Sequence, residues 1–303
     1  MDKIFTHTDL DGVGCAILAK YYNPGIEVEF CDYDNINQKV TDFLDNNIAL
    51  GDLYITDISV SEDIAQRLDY DTDFILLDHH PTALALNKYK CCTVKVEDEN
   101  TGLKTCGTEL FYHWLAEYGY INKSKVLDRF VEIIRDYDIW RWSELGEDGV
   151  ISKKVNDLLY IYGRENFINW CLSSFRQRKF PNLGNTENML LELRQEEIDK
   201  YVEKKNNEMF TQTLCGRISG FVFANKFTSE LGNRLCNMHP EIDFVTMIDI
   251  EDCTVSYRTI KEDIDLGKDV AALFGGGGHS KAAGSQFDKT LQLQIIRKLF
   301  GEE

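Results

Sequence analysis

No run of 18 apolar residues occurs anywhere in the 303 residues, so no membrane-spanning helix is expected. The start, Met1-Asp-Lys-Ile-Phe-Thr6, lacks the charged segment and apolar core of an export signal, and a cytoplasmic location is the expectation. No Cys-x-x-Cys occurs among the nine cysteines, and only Cys91 and Cys92 are adjacent. An odd count without a framework spacing points to reduced thiols and away from a structural zinc site. Basic residues are also short: 33 Lys and Arg stand against 51 Asp and Glu, for a net charge of −18. The imbalance is local. Residues 1–150 carry 13 basic and 29 acidic side chains, a net of −16, whereas residues 151–303 carry a net of −2. A long duplex needs a basic face, so duplex nucleic acid is not an expected partner, and neither is a membrane. Most of the acidic excess reads as solvated surface. A handful of the carboxylates read as ligands whose charge divalent cations cancel.

Hydrophobic content of 43% and the chain length suit two domains with real cores. Along the first half, short apolar strands alternate with helical spacing. Lys3 to Thr6, Ile26 to Phe30, Leu53 to Thr56 and Phe74 to Leu77 read as strands, and Gly12 to Tyr22, Ile36 to Leu44 and Ser61 to Leu68 as helices. Alternation of this kind predicts an α/β domain with a parallel sheet. Helices are predicted over Gly107 to Tyr118 and over Lys123 to Trp142, the latter broken near Asp136. Residues 143–184 resist assignment. Asn185 to Phe210, polar and free of Pro and Gly, reads as one long connecting helix. From Leu214 the pattern changes to strands at Arg217 to Ala224, Phe244 to Ile250 and Cys253 to Thr259, with a helix at Ser229 to Met238. The expected layout is a parallel-sheet domain over 1–145, a helical linker over 146–210 and a smaller α+β domain with a mixed sheet over 211–303.

Three of the expected strands end in His or Asp. His7-Thr-Asp9-Leu-Asp11-Gly12 follows the first, Asp57 the third, and Asp78-His79-His80 the fourth. Each alone is ordinary, since Asp after a strand is usually a cap or turn residue. Together they gather carboxylates and three of the six histidines at the sheet edge where open α/β sheets bind ligands. If residues 7 to 11 are extended, His7, Asp9 and Asp11 share a face. Arg135-Asp136-Tyr137-Asp138 supplies two further carboxylates. Oxygen and imidazole donors without thiolate favour Mn²⁺, with Mg²⁺, Co²⁺ or Zn²⁺ as other candidates. The donors outnumber the needs of one ion, so two ions are expected. Such a pair lowers the pKa of a shared water and holds phosphate oxygens, which is the chemistry of phosphoester hydrolysis.

His-x-Asp-x-Asp-Gly, a strand-end Asp, Asp-His-His and a later Asp resemble the four motifs of the DHH phosphoesterase superfamily, whose members include RecJ-like exonucleases, oligoribonucleases and cyclic-dinucleotide phosphodiesterases. The resemblance runs through most of residues 3–140. It implies one ion on His7, Asp9 and Asp57, and a second on Asp11, Asp57, His79 and a fourth-motif Asp, with Asp57 bridging. The fourth motif is carried onto Asp136, with Asp138 as the alternative. His80 and Asp78 are implied as the catalytic neighbours that orient ligands and face the phosphate. Cys15 stands where relatives usually have Ser, and it reads as a small buried hydrophobe rather than a nucleophile.

Phe274-Gly-Gly-Gly-Gly278-His279-Ser280-Lys281-Ala-Ala-Gly284 lets backbone amides turn toward an anion, although a hinge would also account for the glycines. The run resembles the DHH-associated C-terminal domain, and that resemblance implies substrate binding by Arg258, Gly276, Gly277, Gly278 and His279. Its implied division of labour is cleavage by the first domain and grip by the second. The leading expectation is a metal-dependent phosphodiesterase that releases nucleoside monophosphates from short oligonucleotides. A cyclic- or linear-dinucleotide phosphodiesterase and a single-strand exonuclease are the enzyme alternatives. A nucleotide-binding regulatory module is the non-enzyme alternative, but it predicts a lost ligand, and none is lost. The sequence leaves the oligomeric state open, a homodimer included.

Overall fold

A computed structural model describes residues 2–46, 51–70 and 74–301. The chain divides into two compact units, Met1–Leu191 and Glu192–Glu303.

The first unit starts with β1 (Lys3–His7), α1 (Leu10–Tyr22), β2 (Glu27–Cys31), α2 (Ile36–Asn46), β3 (Leu53–Thr56), α3 (Glu62–Leu68), β4 (Phe74–Asp78) and β5 (Cys92–Val94). A 3₁₀ helix, Pro81–Lys88, joins the last two strands. Then come α4 (Gly107–Glu117), α5 (Lys125–Asp138), α6 (Glu147–Tyr162), α7 (Arg164–Arg176) and the first residues of α8 (Asn185–Glu208). The five strands form a parallel sheet in the order β2-β1-β3-β4-β5. Alternate residues serve opposite faces. Ile4, Tyr54 and Leu77 join a core with α1 and α4 to α7, whereas Phe5, Leu53, Ile55 and Leu76 join one with α2, α3 and the 3₁₀ helix. Because both faces are covered, the central β3 and β4 are nearly continuous in apolar residues, whereas the edge strand β2 alternates. Each fully buried Leu, Ile or Phe contributes about 1.5–3 kcal/mol.

Three expectations change here. The segment after β1 is not extended. Its chain turns at once into α1, with Asp9 as N-cap and Asp11 in the first turn. Gly12 makes this turn feasible, since a Cβ there would meet the His7 carbonyl oxygen at 2.1 Å. Second, α5 runs unbroken past Asp136 to Asp138. Third, 146–210 is not a free linker. Val155, Leu158, Leu159, Phe167 and Phe175 of α6 and α7 are buried in the first unit's core. The division falls inside α8, which gives Leu191 to that core and Ile198 and Val202 to the next.

The second unit continues with β6 (Phe210–Leu214), β7 (Arg217–Phe223), α9 (Thr228–Met238), β8 (Phe244–Asp249), β9 (Thr254–Arg258), β10 (Gly277–Gly278), β11 (Ala282–Gln286) and α10 (Thr290–Phe300). Its six strands lie in the order β10-β11-β9-β8-β7-β6. Among the described residues, β7 and β8 alone pair in parallel in this sheet, with α9 as the crossover; the other pairs are antiparallel, so the sheet is mixed as expected. Among the described residues, no helix is long and apolar enough to cross a membrane.

Candidate metal centre

The carboxyl ends of β1, β3 and β4 lie side by side in the parallel sheet, and each delivers a donor. Hydrogen bonding continues beyond β3, where the Asp57 N–H donates to the Leu77 carbonyl at 3.0 Å. Asp57 takes a left-handed conformation there, at φ 59°. That costs about 1 kcal/mol for a residue with a Cβ, and Asp bears it better than most. The turn leaves the carboxylate buried, with its two oxygens facing different neighbours. Oδ1 lies 3.2 Å from His79 Nε2, and Oδ2 lies 3.9 Å from His7 Nδ1.

Two sets of donors form around those oxygens. His7, Asp9 and Asp57 make one, with His7 Nδ1 3.0 Å from Asp9 Oδ2. Asp11, His79 and Asp138 make the other, with His79 Nε2 3.7 Å from both Asp11 Oδ2 and Asp138 Oδ2. A third grouping joins Asp57 to Asp78, His79 and His80. Of the two carboxylates that could serve as the fourth motif, the structure brings Asp138, and not Asp136, to the cluster. On a helix, residues two apart point about 200° apart. Asp138 turns toward His79, while Asp136 turns away and accepts a hydrogen bond from Arg141 Nη1 at 3.2 Å.

Neighbouring groups hold the donors in place. Asp11 accepts the backbone N–H groups of Gly107 (2.5 Å) and Thr108 (2.8 Å), at the positive end of α4. Asp78 organises the Asp-His-His turn. Its Oδ1 accepts from the His79 N–H at 2.7 Å and lies 2.7 Å from His80 Nδ1, and its Oδ2 is bonded by the Ser59 hydroxyl. Three residues at the site escaped the sequence reading: Ser59, Gly107 and Tyr33. A Cβ on Gly107 would stand 2.5 Å from the Asp57 Cβ, so α4 approaches this closely only with Gly there. Tyr33 follows the carboxyl end of β2 by two residues; a rule that looks for His or Asp at strand ends stops at Asp32 and passes over a tyrosine.

The electrostatics are those of crowded anions. Burial, then the charges of Asp11, Asp9 and Asp138, push the Asp57 pKa well above the carboxylate range. Burial, Asp11, Asp9 and Asp78 do the same to Asp138. Burial works against ionisation of Asp78 as well, but the His80 hydrogen bond and charge win and pull it down to about 2. For His80 the balance is reciprocal: burial disfavours its charge, and Asp78 more than compensates, so its pKa is raised. Burial and His80 together lower that of His79. His7 Nδ1 and Asp57 Oδ2 are buried facing other donors of the cluster, with Asp9 Oδ2 3.0 Å from the imidazole nitrogen and the two atoms 3.9 Å apart, and neither makes a hydrogen bond of good geometry. An imidazole nitrogen and carboxylate oxygens buried facing one another fit a cation between them, and hard oxygen and imidazole donors suit a divalent one. The site can hold metal. Cys15 belongs to the packing: burial, then the Asp11 charge, push its thiol well above the usual range, which leaves it no nucleophilic thiolate.

The remaining expected site residues belong to the second unit. Arg258 ends β9, with Nη2 donating to Ser229 Oγ at 3.3 Å and Nη1 to the Tyr257 carbonyl at 2.8 Å. A Cβ on Gly232 would stand 2.6 Å from Arg258 Cγ, so α9 makes room for the arginine stem. The glycine run does not start a helix. Gly277 and Gly278 pair with Gly284 and Ala283 in a hairpin, and Gly276 packs against the Gly284 carbonyl. The His279 N–H donates to the Ala282 carbonyl at 2.8 Å, and Ala282 pairs with Arg258 across the sheet.

No protein-family model matches the chain. The oligoribonuclease NrnB of Bacillus subtilis (strain 168) is 33% identical over 311 residues, covering 99% of this chain and 76% of that protein. The chain belongs to the DHH phosphoesterase family. It is accordingly a hydrolase of phosphoester bonds. Two solved structures of DHH phosphoesterases share the fold. The RecJ of Thermus thermophilus in complex with Mn²⁺ matches at a TM-score of 0.62 and 12% identity, over 97% of this chain and 50% of RecJ. The pGpG-specific phosphodiesterase PggH of Vibrio cholerae matches at 0.51 and 12%, over 100% and 98%.

Proposed function

We propose that this DHH phosphoesterase hydrolyses short oligonucleotides to nucleoside monophosphates with two divalent ions, Mn²⁺ by preference. The observation that supports this best is Asp57: one buried carboxylate turns its two oxygens toward two separate donor sets. Bound there, two ions would neutralise phosphate oxygens and make a water acidic enough to attack at neutral pH. The chain's own residues do the rest. Asp11 and Asp78 brace the donors through backbone N–H groups, so the set is organised before substrate arrives. His80, with Nδ1 committed to Asp78 and its pKa raised, offers positive charge on the side of the phosphate. We assign the cleaving step to the first unit. The second unit, through Arg258 and the glycine hairpin, grips a distal phosphate, for which a guanidinium is well shaped. The acidic balance of residues 1–150 favours a substrate with few phosphates over a long strand. The name of the 33%-identical relative supports the same substrate class.

The test is a product time-course with the purified full chain. End-labelled RNA and DNA from dinucleotides to twentymers, beside cyclic dinucleotides, are incubated with Mn²⁺ or with chelator. The expected result is Mn²⁺-dependent mononucleotide release, fastest on the shortest chains. Absence of mononucleotide, or equal rates at every length, overturns the reading.

A further inference from the structure

Tyr33 sits at the metal centre without a donor role. It follows β2 in the turn Asp32 to Asn35, and that turn is braced. The Asp32 N–H donates to Asn35 Oδ1 at 3.1 Å, the Ile36 N–H donates to the Asp32 carbonyl at 3.0 Å, and Thr8 Oγ1 donates to Asp32 Oδ1 at 3.0 Å. The Tyr33 ring lies 5.3 Å from the His7 ring at 51°, and its hydroxyl is 3.1 Å from His80 Nε2. Two residues of the cluster thus fix the ring on its inner side. The residue as a whole is nevertheless 58% exposed, while its hydroxyl end, against His80 and the carboxylates, is buried deeply enough to push its pKa up. A tyrosine whose task is packing is normally covered, and holding His80 alone would not need an aromatic residue this exposed.

We propose that Tyr33 is a substrate-binding residue on which the nucleobase next to the scissile phosphate stacks. This rests on the oligonucleotide reading above. A phosphodiester seated on the cluster carries its flanking nucleoside beside it, and the Tyr33 ring borders the cluster at His7 and His80. A neutral ring is the apt group there. A Lys or Arg in its place would be drawn into ion pairs with the surrounding carboxylates. Stacking also accepts every base, which suits an enzyme that must clear fragments of mixed sequence. The hydroxyl bond to His80 aligns the ring.

The experiment measures affinity rather than turnover. A hydrolysis-resistant phosphorothioate dinucleotide, and the matching phosphodiester of two abasic riboses, are titrated by calorimetry into the Mn²⁺-loaded full chain. The wild type is compared with Tyr33→Ala, Tyr33→Phe and Tyr33→Trp, with circular dichroism and Mn²⁺ affinity as checks on folding. Tyr33→Ala should weaken dinucleotide binding about ten-fold or more and leave abasic binding within two-fold. Tyr33→Phe and Tyr33→Trp should retain most of the affinity. Equal losses on both ligands, no loss on the dinucleotide, or no dinucleotide binding by the wild type would each overturn the proposal. Failure of the hydrolytic reading is a different result: a wild type that binds but never cleaves, in which case the affinities still decide the role of Tyr33.

Discussion

The metal centre and the glycine hairpin are built by opposite means. At the sheet edge of the first unit, residues from β1, α1, β3, β4 and α5, scattered over 130 positions, bring five carboxylates and three imidazoles together. Position there is bought with electrostatic repulsion, and two buried polar atoms face other donors without a hydrogen bond of good geometry. The hairpin of the second unit is nearly contiguous in sequence, carries few charges and is shaped by where a Cβ would collide. One site gathers charge that cations would cancel; the other is complete as a backbone. Substitutions should therefore act in contrasting ways, through charge in the first and through space in the second.

The largest effect belongs to Asp57→Asn. Losing the residue that faces both donor sets should lower turnover by about a thousand-fold or more. Removal of one buried carboxylate from a like-charged group should also stabilise the metal-free protein, by about 1 kcal/mol or a rise of about 2–4 °C in Tm for a unit of this size. The same variant should lose the Tm increase that Mn²⁺ gives the wild type. Differential scanning calorimetry with and without Mn²⁺ reads both. A metal-free Tm that falls, together with a preserved Mn²⁺ response, would show that the centre is held by packing like the hairpin, and the contrast would collapse.

Next in size is the pair Asp138→Asn and Asp136→Asn. Asp138 faces His79, so its loss should weaken Mn²⁺ binding and turnover by about a hundred-fold. Asp136 answers Arg141, 3.2 Å away, and its loss should cost no more than about ten-fold in turnover with Mn²⁺ affinity unchanged. Calorimetric titration of Mn²⁺ into both variants separates the roles. A greater loss of Mn²⁺ affinity from Asp136→Asn would restore the assignment that the sequence suggested.

That pair also marks where the sequence was legible. Strand ends were readable because a short apolar run that stops at His or Asp carries its own direction, and the parallel order then aligns the tips. Hence His7, Asp57, Asp78, His79 and His80 fall where the pattern placed them. A choice between two carboxylates two residues apart on a helix is a choice between opposite faces, and it depends on what packs against α5. The helices α6 and α7 were hidden for another reason. Only Gly163, at φ 73°, separates them, serving as C-cap of one and N-cap of the other, so no loop composition announces the junction. Their packing moved the division of the chain into α8, whose polar composition spoke for a helix but not for what its two ends bury. The glycine run was readable as special, yet its hairpin depends on pairing with β11, a strand that the local pattern did not reveal.

The smallest effect sharpens the comparison most, because it falls within a single run. A Cβ at Gly276 would lie 2.0 Å from the Gly284 carbonyl oxygen, and Gly278 holds φ 136° with Ala283 Cα 2.6 Å from where its Cβ would be. Gly276→Ala should therefore destabilise the chain by about 2 kcal/mol or more. Gly277 has nothing within 4 Å of that position and no positive φ, so Gly277→Ala should leave stability within about 0.5 kcal/mol. If its lack of a side chain serves only the hairpin, the variant should be silent in every assay. If the bare backbone serves close approach of a substrate phosphate, KM for a dinucleotide should rise several-fold with Tm and Mn²⁺ affinity unchanged. We expect the rise, since the fold makes no demand for glycine at Gly277; an unchanged KM would limit the hairpin to architecture and leave the grip to Arg258.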